Sequence, residues 1–278
     1  MDKQVNDGVI EVNGAQFHYD AAGSGHPLIL VHAGICDRRM WQAQVPALAE
    51  HFRVIRYDLR GFGQTPMPPG PFSHSADLAG LMAALGIERA HLLGCSKGGS
   101  CTLDVALAQP ERVSALVLVS SGPSGYQPPQ PVPQSRQGPA IVAAFDAGDL
   151  ERAAELEVQV WVDGDQRSPD QVDPRVRALV YQMDLQAMRN EVAAQGQAHE
   201  PPPPERPAAA RLAEVRAPTL VIFGDLDAPI TLSSSEALAA GIPGARRVVV
   251  PGTAHLLNME QPERFNQVVL DFLINAGH

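Results

Sequence analysis

Cysteine is scarce in this chain of 278 residues, which contains only Cys36, Cys95 and Cys101. An odd number of cysteines without a C-x-x-C spacing argues against a disulfide framework and against a zinc site. Free thiols are typical of a protein in a reducing compartment, so we expect a cytoplasmic location. Cys95 lies beside a serine of interest, and we interpret it as a small buried residue that ends a strand.

Basic residues are also few, with 21 Lys and Arg against 31 Asp and Glu and a net charge of −10. This charge repels a phosphate backbone, and no local cluster of Lys and Arg offsets it, which argues against nucleic acid as a partner. No apolar run approaches the roughly 18 residues of a membrane span. The first residues also lack the basic and apolar segments of a signal peptide, so we expect no membrane association.

Hydrophobic residues, by contrast, make up 45% of the chain, enough to bury a sizeable core. Six short runs rich in Val, Ile and Leu do not alternate with polar residues, which is typical of parallel strands buried on both faces. These runs occupy residues 28–32, 54–58, 91–95, 115–120, 219–225 and 246–250. Helical patterns lie between them, at 40–50, 76–86, 97–109, 232–240 and 260–275. The alternation predicts an α/β fold with a doubly wound, mostly parallel sheet.

Two earlier segments, 9–14 and 15–22, have the pattern of a β-hairpin that turns at Asn13-Gly14. Asn-Gly is the strongest short signal for a type I′ turn, because both central residues must adopt a positive φ. Together with the six apolar runs, the hairpin predicts a sheet of about eight strands.

The alternation of strands and helices stops between residues 123 and 207. Proline-rich tracts, GPSGYQPPQPVPQ and HEPPPPERP, bound this stretch, and proline interrupts both helices and central strands. The sequence between the tracts is helical by composition and spacing. We therefore predict a core domain formed by 1–122 and 208–278, with 123–207 inserted as a helical cap and the proline tracts as stiff hinges.

The segment GCSKGG, residues 94–99, carries the most specific chemical signal. It contains the pattern G-x-S-x-G, which has meaning when it stands between a strand and a helix. Here it follows the apolar run 91–95 and precedes a helical pattern, so Ser96 is predicted to lie in a sharp turn with its hydroxyl above the sheet. Glycines on both sides remove the clashes that side chains would cause in such a turn. Ser96 is therefore the candidate nucleophile.

A serine nucleophile needs a general base, and the base needs a carboxylate that orients it. His255 follows the strand predicted at 246–250, on a loop at the carboxyl edge of the sheet. Asp225 and Asp227 follow the strand predicted before that one. Both aspartates are candidates for the orienting acid.

Four segments together resemble the α/β-hydrolase superfamily, in its cap-bearing branch of esterases, lactonases, perhydrolases and carbon–carbon bond hydrolases. They are VHAG with Trp41 downstream, YDLRGFGQT, GCSKGG, and GDLD with GTAH. The resemblance covers the predicted core, while the cap matches only in position and helical character. It implies a triad in the chain order Ser, Asp, His, and the family's spacing from glycine to the acid selects Asp227 over Asp225.

The resemblance also implies where the oxyanion of the reaction is held. In this fold the backbone N–H after the nucleophile, here that of Lys97, is one donor. The second donor comes from the loop after residues 28–32, where alignment on His32 indicates Gly34, with Ile35 as the alternative. The usual family pattern is His-Gly-X, whereas this chain has His32-Ala33-Gly34. Because of that departure, both Gly34 and Ile35 remain candidates for the second oxyanion donor.

Three further features have two interpretations each. The Lys97 ammonium either acts at the site, by attracting a substrate carboxylate or by lowering the pKa of the serine, or extends into solvent. Trp161 in the predicted cap either binds substrate or packs within the cap. The glycines of YDLRGFGQT do not complete a dinucleotide fingerprint, and we interpret this segment as a structural turn in which Asp58 and Arg60 pin nearby loops, rather than as catalytic.

The predicted function is cleavage of a small-molecule carboxylic ester or lactone through an acyl-enzyme, without a metal or an organic cofactor. Two alternatives keep the triad: hydrolysis of an enol-lactone or a carbon–carbon bond, and peracid formation by a cofactor-free perhydrolase. A further alternative is a non-catalytic homologue that keeps the fold for ligand recognition. The sequence specifies neither the natural substrate nor the oligomeric state.

Overall fold

The computed structural model describes residues 6–202 and 204–276, and ten strands lie within these ranges. The strands are β1 (Asn6–Val12), β2 (Ala15–Ala22), β3 (Pro27–Val31), β4 (Arg53–Tyr57), β5 (Gly70–Pro71), β6 (Ala90–Cys95), β7 (Val113–Val119), β8 (Ala198–His199), β9 (Thr219–Gly224) and β10 (Arg246–Val250). The α-helices are α1 (Val45–Leu48), α2 (His74–Ala84), α3 (Lys97–Ala108), α4 (Gly138–Asp146), α5 (Leu150–Val158), α6 (Pro174–Ala193), α7 (Pro229–Gly241), α8 (Leu257–Glu260) and α9 (Pro262–Ala276). None of the helices in the described ranges has the length and apolar composition that crossing a bilayer requires.

Eight of the strands form one sheet in the order β1-β2-β4-β3-β6-β7-β9-β10. The pairs β1–β2 and β2–β4 are antiparallel, and the remaining neighbours are parallel. Asn13 and Gly14 join β1 to β2 with φ values of 48° and 75°, the positive values that a type I′ turn requires. The predicted eight-stranded, mostly parallel sheet and its leading hairpin are therefore confirmed.

The core lies on both faces of this sheet, as the central strand β3 illustrates. Leu28 and Leu30 pack on one face, in a cluster that includes Phe265 of α9. Ile29 and Val31 pack on the opposite face, in the cluster that includes residues of α2 and α3. All four β3 side chains are fully buried. Burial on both faces explains why the strand sequences are continuously apolar and do not alternate.

Two segments differ from the sequence-based prediction. The helix expected at 40–50 is instead a 3-10 turn, Arg38–Trp41, followed by the short α1. Pro46 is the reason, because proline is tolerated in the first turn of a helix but not in the interior of a longer one. In the second proline tract, β8 pairs with β5 in a small parallel sheet, so part of this predicted hinge is tied to the core.

The inserted segment 123–207 contains α4, α5 and α6, which pack around a small apolar cluster of their own. It also contacts the sheet domain through polar groups. Asn190 donates to the backbone oxygen of Gly61 at 3.1 Å, and Arg167 pairs with Glu260 at 2.5 Å. Its helical character is as expected, while the division of the chain into core and cap stays a prediction.

Candidate active site

Ser96 lies at the sharp turn between β6 and α3, with φ 51° and ψ −116°. A positive φ is strained for any residue that has a side chain, and such strain clusters at functional sites. The backbone is fixed on both sides of the serine. Its N–H donates to Val119 at 2.9 Å, and its carbonyl accepts from the Ser121 hydroxyl at 2.8 Å.

Close approach of backbone atoms requires the two glycines that flank this turn. A Cβ atom on Gly94 would lie 2.2 Å from the carbonyl oxygen of Gly98. A Cβ atom on Gly98 would lie 2.3 Å from the carbonyl oxygen of Val31 on the neighbouring strand. Neither position has room for a side chain, which agrees with the predicted role of the glycines.

The loops after β9 and β10 bring Asp227 and His255 together, although 27 residues separate them in sequence. The Nδ1 atom of His255 lies 3.0 Å from each carboxylate oxygen of Asp227. Both residues are buried, at 4% exposure each. A carboxylate only accepts hydrogen bonds, so Nδ1 carries the proton and Nε2 is left as an acceptor. Asp225, the other candidate acid, accepts from the Gly252 N–H at 2.7 Å instead.

The serine hydroxyl and the imidazole are not hydrogen-bonded to each other. Within the described residues, the partners of His255 are Asp227 at Nδ1 and the Trp161 carbonyl at the backbone N–H. Ser96 is partly exposed, and its hydroxyl is available to a ligand or to a neighbouring base. The structure thus forms the acid–histidine half of the predicted triad, and the serine–histidine contact stays a prediction.

The candidate oxyanion donors, Lys97 and Gly34, lie next to each other. Lys97 is the first residue of α3, where a backbone N–H has no carbonyl partner within the helix. A Cβ atom on Gly34 would be 3.3 Å from Cε of Lys97, so the lysine methylenes pack against this glycine. Among the described residues, no hydrogen bond engages the N–H of Gly34 or of Ile35. Both interpretations of the second donor therefore stay open.

The ammonium group of Lys97 has a protein partner. Its Nζ atom lies 3.8 Å from Glu200, in a side chain that is 42% exposed. The same Glu200 oxygen lies 3.4 Å from Nε2 of His74. Burial is the main cause that lowers the pKa of His74, to about 3, with Lys97 adding to the shift, so this histidine is neutral at physiological pH. Glu200 thus offsets part of the positive charge of Lys97. The role of Lys97 toward a substrate carboxylate stays a prediction.

Trp161 lies directly against the catalytic candidates. Its ring centroid is 4.6 Å from that of His255, and its carbonyl accepts from the His255 N–H at 3.3 Å. It belongs to a π-helical turn, Gln159–Asp163, a type of irregularity frequent at functional sites. Its indole N–H donates to Glu157 at 2.5 Å. Sequence analysis missed Glu157, although its spacing of four residues before Trp161 was visible in a helical pattern.

Two cavities border this cluster. One, which we call the proline cavity, has a volume of about 490 Å³. Its apolar walls come mainly from Pro128, Pro131, Val132, Pro133, Trp161, Pro229 and Ile230. The second, which we call the acid cavity, has a volume of about 290 Å³ and is lined by Gly34, by apolar side chains and by four carboxyl groups. The hydrogen bond from Trp161 to Glu157 joins the wall of the first cavity to the wall of the second.

The remaining polar candidates are structural. His32 is buried, with Nδ1 2.8 Å from the Ala33 carbonyl and Nε2 accepting from Leu59 N–H at 2.8 Å. Asp58 accepts from the backbone of Arg38, and Arg60 binds both carboxylate oxygens of Asp77 at 2.9 Å.

The contacts of Asp58 and Arg60 agree with the interpretation of 57–65 as a pinned turn. Cys95 is fully buried at the end of β6, and burial raises the pKa of its thiol well above the ordinary value, so it is no competing nucleophile.

Comparison with known proteins places this chain in one family. Residues 26–262 match the family described as alpha/beta hydrolase fold, and the chain belongs to it. A 2-hydroxy-6-oxononadienedioate/2-hydroxy-6-oxononatrienedioate hydrolase from Paraburkholderia xenovorans is 30% identical over 269 residues, which cover 93% of this chain and 90% of the relative.

Two solved structures are similarly close. A thermophilic esterase from Thermogutta terrifontis is 32% identical, with a TM-score of 0.76 and coverage of 98% of this chain and 99% of the other. The enol-lactonase from Burkholderia xenovorans LB400 is 26% identical, with a TM-score of 0.77 and coverage of 96% and 100%. The family and these relatives identify the chain as a hydrolase.

Proposed function

We propose that this protein is a serine hydrolase that cleaves a carboxylic ester or lactone of a small molecule through an acyl-enzyme. The nucleophile is Ser96, the general base is His255, and Asp227 orients the base. The observation that carries the proposal is the buried Asp227–His255 pair at the same sheet edge as a serine held in a strained turn. An esterase and an enol-lactonase among the similar structures support this choice of substrates.

In the proposed mechanism, Nε2 of His255 accepts the proton of Ser96 as the serine oxygen attacks the carbonyl carbon. Asp227 keeps the proton on Nδ1 and stabilises the imidazolium that forms. The negative charge on the former carbonyl oxygen is stabilised by the N–H groups of Lys97 and Gly34, each typically worth about 3–4 kcal/mol of barrier reduction. The imidazolium then protonates the leaving alcohol, and water releases the acyl group by the same steps.

A second candidate is hydrolysis of a carbon–carbon bond, which the relative from Paraburkholderia xenovorans favours. Such a reaction would use the same three side chains and a different set of contacts around them. The relative's substrate is named as a dienedioate, a dianion, whereas the acid cavity of this chain is lined by carboxyl groups. This charge disfavours the same substrate and supports the ester or lactone assignment.

The decisive experiment is a substrate screen with the wild-type protein and the Ser96→Ala variant. It includes p-nitrophenyl esters of increasing acyl length, small lactones and a 2-hydroxy-6-oxo-dienoate. We expect ester or lactone turnover in the wild type, and a loss of about a thousandfold or more in kcat in Ser96→Ala, because the nucleophile acts as a unit with its base.

Circular dichroism and thermal melting of Ser96→Ala serve as the folding control. Equal ester turnover in the two folded proteins would refute the assignment of Ser96. Faster cleavage of the dienoate than of any ester or lactone would establish the second candidate instead.

A further inference from the structure

The acid cavity combines apolar walls with an excess of one charge. Its carboxyl groups come from Asp146, Glu157, Asp184 and Glu191. Within the described part of the chain, no lysine or arginine is among the residues that line it. Apolar side chains, including Ile35, Phe62 and Phe145, form much of the remaining wall. An anionic ligand would therefore find no cationic partner among the lining residues, while a cation would meet several carboxyl groups over a desolvated surface.

Asp184 is the unusual member of this group. It lies on α6 with 3% exposure, and among the described residues it accepts no hydrogen bond and forms no ion pair. Its Oδ2 atom is inaccessible to solvent and has no partner. A buried polar atom without a partner typically costs about 1–3 kcal/mol, so such groups are rare in native proteins and call for a specific explanation. Asp184 is part of the wall of the acid cavity, so its carboxyl group lies beside any ligand that binds there.

The pKa of Asp184 agrees with a ligand as its partner. Burial, with smaller contributions in the same direction from the neighbouring Glu157 and Glu191, raises its pKa to about 8. Burial also raises the pKa of Glu157, against the opposing effects of Trp161 and His255. Within the described ranges, no cationic side chain counters these shifts at Asp184. A positively charged ligand would supply one and would favour the ionised carboxylate.

The cavity is joined to the candidate reaction centre by Gly34, which lies in its wall and is a candidate oxyanion donor. A substrate whose carbonyl oxygen binds near Gly34 therefore extends one of its chains into this cavity. The apolar walls suit a hydrocarbon chain, and the carboxyl groups suit a polar end.

We propose that the acid cavity is the specificity site of the hydrolase, that it holds a substrate chain ending in an ammonium group, and that Asp184 and Glu191 recognise this end. This proposal rests on the proposed function and adds the substrate class. The cavity prefers a cationic end to an uncharged one and excludes a carboxylate.

Three p-nitrophenyl esters whose acyl chains differ only at the far end test this order. The 6-aminohexanoate ends in an ammonium group, the heptanoate in a methyl group, and the monoester of pimelate in a carboxylate. We expect kcat/KM at pH 7 to fall in that order, with about tenfold or more between the first and the last. Asp184→Asn and Glu191→Gln should each reduce this ratio by at least about threefold. Glu263→Gln, the same charge change on an exposed part of α9, should leave it unchanged.

A flat profile, a preference for the carboxylate ester, or an equal effect of Glu263→Gln would overturn the proposal. Direct binding of hexylammonium and hexanoate to the Ser96→Ala protein, measured by calorimetry, separates this inference from the proposed function. Selective binding of hexylammonium that weakens in Glu191→Gln supports the cavity assignment even if the esters are not hydrolysed. Binding of hexanoate that is equal to or tighter than that of hexylammonium overturns the assignment even if esters are hydrolysed through Ser96.

Discussion

The edge of the sheet and the inserted segment each bury an aspartate, and the two aspartates differ in their surroundings. Asp227 at the sheet edge is 4% exposed and faces His255, with a further hydrogen bond from the Ala228 N–H at 2.7 Å. Asp184 in the inserted segment is 3% exposed and has no partner in the described chain. The first carboxylate is satisfied by the protein, and the second has no protein partner among the described residues. In the two proposals above, the sheet edge carries the chemistry and the inserted segment selects the substrate.

At the sheet edge, the variants Asp227→Asn and Asp225→Asn test which aspartate orients His255. Asn at 227 can donate to the histidine and so favours the wrong tautomer, and we expect kcat to fall by about three to four orders of magnitude. Asn at 225 keeps an oxygen that can accept from the Gly252 N–H, so it should change kcat by less than about threefold. Steady-state kinetics on one ester measures both. Comparable losses in the two variants would contradict the assignment of Asp227 as the orienting acid.

In the inserted segment, the pH dependence of the protein's stability tests whether Asp184 is buried without a partner. Asp184 has a pKa of about 8 in the folded protein and an ordinary value of 3.8. The folded state therefore holds a proton that the unfolded state has lost between these values, and stability decreases as pH rises from about 4 to 8. Asp184→Asn removes this dependence. Its melting temperature relative to wild type should rise with pH and level off above pH 8.

A buried and paired aspartate of the same segment provides the control. Asp163 is 2% exposed and binds Arg177 at 2.7 Å. Asp163→Asn weakens this ion pair, so it should lower the melting temperature at pH 8, where Asp184→Asn raises it. The opposite signs would distinguish a paired from an unpaired carboxyl group. A destabilised Asp184→Asn protein at pH 8 would show that Asp184 has a partner of its own.

The smallest effect concerns the strain at Ser96. Glycine adopts a φ of 51° without steric cost, so Ser96→Gly should be about 1 kcal/mol more stable than Ser96→Ala, with both inactive. At Ser100, inside α3, the order should reverse, because glycine is the poorer helix former. Urea unfolding of the four variants measures the difference. Equal stabilities of the two Ser96 variants would show that the turn stores little strain.

Features that depend on residues close together in the sequence could be predicted, and features that depend on distant residues could not. The turn at Asn13-Gly14 and the tight turn at Ser96 depend on neighbouring residues, and the sequence was sufficient to locate both. The single helix predicted at 40–50 was wrong for a local reason. Pro46 would lie in the interior of such a helix, where proline is not tolerated. Glu157 and Asp184 were missed because a carboxylate on a helix is usually solvated. The partial burial of Glu157 and the full burial of Asp184 depend on residues packed against them from elsewhere in the chain.

Sequence alone determined the strand and helix alternation, the hairpin, the candidate nucleophile and the family resemblance, because each is encoded in short spacings and backbone preferences. Only the tertiary structure brought the Asp227 carboxylate to His255, placed the Trp161 ring against His255, and left Asp184 buried without a partner among the described residues. Those outcomes depend on distances between residues far apart in the chain. The loops after β9 and β10 set the first of these distances, packing of the inserted segment against the sheet sets the others, and no local pattern records them.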